Sequence, residues 1–236
     1  LLNDKVTLKN IAVSGMSTRS FFFADDASGD QGRFNTFNNA VKEGDIVSVQ
    51  FGHNDEDASK TEKRTINKTV DGNVDTTKSN SYEAYLQMIV DAAQNKNASV
   101  VFVTSPTTLS YAPSAAPALM KKFAAEKGLP VIDLNAATIE LYGKLTSKNL
   151  TPKYYMMYWT EDTKEDFITK HGALGTEYAD KTTYTDGTHY NAEGADMIAN
   201  LLVGCTDKSN ILSRYFKTGA GKSVDDIISA YPTQAN

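Results

Sequence analysis

The sequence predicts an α/β protein built on a mostly parallel sheet. Two observations predict it. Short apolar runs rich in β-branched residues, at 6–13, 45–51, 99–104 and 130–134, alternate with longer segments of helical periodicity. The best defined run, Ile46-Val47-Ser48-Val49, breaks at Gly52 into His53, Asn54 and Asp55. Buried parallel strands look like this where they deliver functional groups at their carboxyl ends.

Taken in order, residues 6–13 read as a strand that ends at Ser14-Gly15, followed over 17–30 by a loop holding Phe21, Phe22 and Phe23. The spacing of Phe34, Phe37 and Val41 predicts a helix over 33–42, and Gly44-Asp45 turns the chain into the strand at 45–51. Residues 55–80 are polar without periodicity, a long loop of the functional or mobile kind. Over 81–95, Tyr82, Tyr85, Leu86, Ile89 and Val90 share one helical face, with Ser81 placed to cap it. The strand at 99–104 stops at Ser105-Pro106, and a helix over 115–127 ends at Gly128. A short strand at 130–134 and a helix at 136–148 follow. Residues 151–185 give mixed signals around Tyr154, Tyr155, Tyr158 and Trp159. Residues 185–191 read as a loop running straight into a helix at 191–203 capped by Asn191, and the tail carries one more helix near 224–230. These elements form a single domain over 1–236.

Composition narrows the function. Hydrophobic residues make up 40% and charged residues 22%, and the net charge is −5. A nucleic-acid binder presents a basic face, which this balance argues against. No run approaches the roughly 18 apolar residues of a membrane span. Cys205 is the single cysteine; within an apolar stretch it reads as a small core residue. Gly219-Ala220-Gly221-Lys222-Ser223 lacks the first glycine and the preceding strand of a phosphate-binding loop.

Three strand ends carry chemistry: Ser14-Gly15-Met16-Ser17, Gly52-His53-Asn54-Asp55, and Asp186-Gly187-Thr188-His189. Asp186 can curl back onto the Nδ1–H of His189, fixing the tautomer and leaving Nε2 as a general base. The Gly15 N–H and the Asn54 amide have the composition of an oxyanion hole. His53 reads as structural or substrate-lining, His171 as solvated, and Ser14 and Ser17 as weak candidates for a nucleophile. The aromatic groups at 21–23 and 154–159 divide evenly between a sugar groove and packing.

These blocks, with Gly32-Arg33-Phe34, Gly44-Asp45 and Asn191-Ala192-Glu193-Gly194-Ala195, resemble the SGNH/GDSL hydrolase superfamily, and within it the rhamnogalacturonan acetylesterase-type carbohydrate esterases. The resemblance runs from about residue 6 to residue 202, in family order. It implies a flavodoxin-like three-layer α/β/α sandwich with a parallel sheet. It implies a serine nucleophile in a Gly-Asp-Ser block, Gly15 and Asn54 in the oxyanion hole, and Asp186 and His189 as acid and base. It further implies a secreted or periplasmic enzyme that removes acetyl groups from an acetylated polysaccharide or oligosaccharide of pectin, rhamnogalacturonan or xylan type, with no cofactor and no metal.

One block is missing. The family's Gly-Asp-Ser sits on the first, central strand, before the block that Gly15 matches, and no Gly-Asp-Ser occurs here. Gly29-Asp30-Gln31 and Gly44-Asp45-Ile46 have the wrong third residue. The expectation is a domain that is N-terminally incomplete, its nucleophile on a separate N-terminal segment. A strand from a permuted tail and a degenerate homologue are the weaker explanations. The rival function is a catalytically inactive SGNH-like carbohydrate-binding protein.

Overall fold

In a computed structural model of the chain, the described residues are 1–23, 33–56, 64–66, 81–109, 114–147, 156–174 and 176–230. Three strands form the parallel sheet: β1 (Ile46–Val49), β2 (Ser99–Val103) and β3 (Val131–Ile132), in the order β1-β2-β3. Helices α3 (Ser81–Gln94) and α4 (Ala116–Lys127) make the crossovers. The α4 helix ends as its sequence predicts, with Gly128 in the left-handed conformation.

Strand β2 shows why this is a three-layer fold. Its side chains alternate between two separate cores. Val100 and Phe102 join the core made with α1 (Thr18–Phe22), α2 (Phe34–Ala40), α3 and α4. Val101 and Val103 join the core made with α5 (Leu134–Ser147), α8 (Ala192–Cys205) and α9 (Val224–Ala230). All four are buried, so β2 is covered on both faces.

The run at 6–13 is not a strand. It has no regular structure, and Leu8 is 75% exposed. A strand exists only through its ladder, and no described strand pairs with the outer edge of β1. The chain before it is held instead by the C-terminal region: Leu2 bridges Phe216, and the Asn3 N–H donates to the Tyr215 carbonyl at 2.8 Å.

The remaining strands depart from a purely parallel plan. Strand β4 (Met156–Trp159) and strand β5 (Tyr184–Tyr190) form an antiparallel pair of their own. The short helices α6 (Lys164–His171) and α7 (Thr176–Ala179) lie between them in sequence. The expected loop at 185–191 is therefore strand β5. It still leads directly into α8, whose first turn is capped by the Asn191 side chain accepting from the Gly194 N–H. Cys205, expected in the core, is exposed at the end of α8. Phe21, Phe22 and Trp159 are buried and serve packing, while Phe23 is exposed; Tyr154 and Tyr155 fall outside the described residues.

Candidate active site

Strand β5 is irregular where the chemistry lies. Met156 pairs with Tyr190 and Tyr158 with Thr185, so five steps along β5 oppose two along β4. The extra residues bulge out between Thr185 and Tyr190. In a regular strand, residues three apart point to opposite faces and sit about 10 Å apart. The bulge cancels that separation, and Asp186 Oδ2 lies 2.5 Å from His189 Nδ1.

Asp186 is held from several sides. Its Oδ1 accepts the N–H groups of Thr188 at 2.5 Å and His189 at 3.0 Å, and its Oδ2 also accepts the Tyr184 hydroxyl at 2.8 Å. Burial pushes this carboxyl up, but the hydrogen bonds from His189, Thr188 and Tyr184 outweigh it and hold it below the ordinary carboxylate range. Asp186 is 8% exposed and His189 is 54% exposed. The carboxylate is thus enclosed while the imidazole it orients faces solvent, the disposition a general base needs.

The oxyanion candidates sit on two turns. Gly15 has φ +73°, which the missing Cβ permits, and is half-buried. Asn54 is half-buried on the turn after β1. The two turns are knotted together through Asp55. Its Oδ1 accepts the Thr18 N–H at 3.0 Å, the Thr18 hydroxyl at 2.6 Å and the Thr65 hydroxyl at 2.5 Å. Asp55 is wholly buried, its Oδ2 has no hydrogen-bond partner among the described residues, and burial pushes this acid up to about 6.

Further bonds carry the connection to β5. His53 Nε2 lies 2.8 Å from the Pro106 carbonyl oxygen, and the Leu109 N–H donates to the Gly187 carbonyl at 2.8 Å. The segment after β2 therefore ties the Asn54 turn to the bulge. Close approach explains Gly52, because a Cβ there would meet Ser105 Oγ at 2.7 Å and Ala116 Cβ at 2.9 Å. Glu56 accepts the Ala116 N–H at 2.6 Å, capping α4 from the same turn.

The structure brings Asp186 and His189 into direct contact and fixes the Gly15 and Asn54 turns to one another through neighbours. His53 is committed to a carbonyl. Ser17 is buried in a capping box with Ser20, which removes it as a nucleophile. His171 packs its ring against Phe167 at 4.6 Å. Sequence reasoning missed Thr18, Thr65 and Tyr184. Reading 184–190 as a strand finds Tyr184, since residues two apart share a face. Among the described residues, no group of three or more His, Cys, Asp or Glu side chains could hold a metal ion, and no helix is long and apolar enough to cross a membrane.

Comparison with known proteins bears on the fold and the family. The crystal structure of the Bacillus subtilis protein YXIM superimposes with a TM-score of 0.53 at 18% identity, covering 88% of this chain and 46% of that one. The likeness is one of fold, and this chain spans about half the length of that structure. A curated relative, the rhamnogalacturonan acetylesterase RhgT of Bacillus subtilis (strain 168), is 27% identical over a 228-residue alignment that covers 91% of this chain and 82% of the relative. The family model described as GDSL-like Lipase/Acylhydrolase matches residues 1–202. With that match spanning most of its length, the chain belongs to the GDSL-like lipase and acylhydrolase family.

Proposed function

We propose that the protein is a serine esterase that removes acetyl groups from a plant cell-wall polysaccharide, of the pectin or rhamnogalacturonan type. The observation that carries the reading is the Asp186–His189 contact on the β5 bulge, with the imidazole open to solvent. The similarity to RhgT supports the choice of substrate. Such a polysaccharide lies outside the cytoplasm, so the enzyme acts as a secreted or periplasmic protein.

A serine Oγ attacks the acetyl carbonyl carbon while His189 Nε2 takes its proton. The Gly15 N–H and the Asn54 amide hold the oxyanion. The bond to the sugar oxygen breaks as His189 returns the proton to that oxygen. Water then attacks the acetyl-enzyme by the same route and releases acetate. The nucleophilic serine arrives on a strand that pairs with the outer edge of β1. The exposed Ser48 and Gln50 and the irregular run at 6–13 support this.

The test is hydrolysis of p-nitrophenyl acetate, acetylated rhamnogalacturonan and acetylated xylan by the full-length protein and its His189→Ala variant. The variant is expected to lose at least about 10³-fold in kcat. Equal rates sink the base assignment, and preference for xylan sinks the substrate assignment. A fluorophosphonate probe is expected to label the strand-borne serine. Label on any serine within residues 1–236 overturns that part of the reading.

A further inference from the structure

We propose that Tyr184 is a positioning residue for the Asp186–His189 pair. Its hydroxyl shares the one carboxylate oxygen that faces the imidazole, and so sets how strongly Asp186 holds His189. The proposal rests on the acid and base roles given above.

The geometry is specific to one oxygen. Asp186 Oδ1 is taken up by two backbone N–H groups. Oδ2 receives two side-chain partners, His189 Nδ1 and the Tyr184 hydroxyl at 2.8 Å. A carboxylate oxygen with two donors offers each a weaker bond than it would offer one alone. The tyrosine therefore draws off part of the negative charge that would otherwise stabilise an imidazolium, and it keeps His189 available as a base.

The hydroxyl is held in place by its ring. Tyr184 stacks on Trp159, with centroids 4.9 Å apart and an interplanar angle of 30°, and pairs with it in the β4–β5 ladder. Trp159 is 1% exposed, and its indole N–H donates to the Lys181 carbonyl at 3.1 Å. The Tyr178 ring meets Tyr184 at 5.1 Å, and the Lys181 ammonium lies 4.6 Å from the Tyr184 centroid. The titratable and charged groups around Tyr184 are thus Tyr178 and Lys181 from the preceding segment, Tyr158 on β4 opposite Thr185, and Asp186 and His189 on β5 itself. Burial, ahead of the bond to Asp186, pushes the Tyr184 hydroxyl well above its ordinary range, so it stays protonated and remains a donor.

Tyr184→Phe removes the hydroxyl and keeps the stack. In the full-length enzyme the acid limb of the kcat/KM profile is expected to move to higher pH by roughly 0.4 to 1 unit. Plateau kcat is expected to hold or rise, by up to roughly 10-fold, with KM unchanged, because the stronger Asp186–His189 bond stabilises the imidazolium formed in the transition state. Independently of activity, the Nδ1–H resonance of His189 in histidine-labelled protein moves further downfield, because Asp186 Oδ2 becomes a better acceptor. A Phe variant that matches the parent in both the acid limb and this resonance overturns the proposal and leaves Tyr184 a packing residue. A parent without esterase activity sinks the proposed function instead, and the resonance alone then decides the role of Tyr184.

Discussion

The two sheets of this molecule are stabilised and used in opposite ways. The parallel sheet is regular. Its middle strand β2 has Val100, Val101, Phe102 and Val103 buried between two cores, and none of these side chains does chemistry. The β4–β5 pair is short and antiparallel, and it loses register within seven residues. That loss of register is what brings Asp186 onto His189. Regularity builds the platform, and a local departure from it builds the Asp186–His189 contact.

The comparison can be broken most severely at Phe102. Phe102→Ala removes a wholly buried ring that meets Phe123 edge-on at 5.8 Å. A stability loss of about 3–5 kcal/mol is expected. Denaturant titration checks this, and a loss under about 1 kcal/mol would show that the platform is not anchored at β2.

The next effect is a pH dependence at the knot between the Gly15 and Asn54 turns. Asp55 is pushed up from 3.8 to about 6 in the folded protein. Between those values the folded state binds the proton more tightly than the unfolded chain. Stability from this group is therefore full below about pH 4 and is lost as pH rises through about 6. The loss is about 3 kcal/mol. Asp186, held low, acts in the opposite direction: its contribution is present above the unfolded carboxylate range and lost as pH falls through its lowered value. Asp55→Asn is expected to flatten the fall between pH 4 and 6, whatever its absolute stability. Parallel stability curves for parent and variant across that window contradict this account.

The smallest effect sharpens the comparison on the β4–β5 side. Asn191 caps α8 through Gly194 and also donates from its amide to the Met156 carbonyl at 3.1 Å. Asn191→Ala is expected to cost about 1–2 kcal/mol. Because the second bond holds the start of β4, the variant should also speed amide exchange at β4 and β5 while leaving β2 protected. Equal acceleration in both sheets would show that they open as one unit.

The middle strand of the parallel sheet was legible in the sequence because β2 is buried on both faces, and burial writes an apolar run. The helix periodicities, the cap at Asn191 and the stop at Gly128 follow from equally local rules. The run at 6–13 was misread because a strand needs a partner as well as a suitable composition. Strand β5 was hidden for a different reason: Thr185, Asp186, Gly187 and Thr188 have turn composition, and only pairing with β4 makes them a strand. The Asp186–His189 contact could be named from its spacing, since residues three apart with a glycine between them can fold back. Asp55, Thr18 and Thr65 could not, because their meeting depends on contacts across 37 and 10 positions that no local pattern encodes.

The bulge in β5 has a consequence for folding order. Asp186 and His189 are three positions apart, so their mutual geometry forms with the segment that contains them and costs little loop entropy. The Gly15 and Asn54 turns must be brought to that segment from more than a hundred residues away. The fold thus separates a short-range tolerance, set once within one hairpin-sized piece, from a long-range one that waits for the whole domain to close. Thermal softening of the sheet would loosen the long-range alignment first, while the Asp186–His189 contact stayed intact.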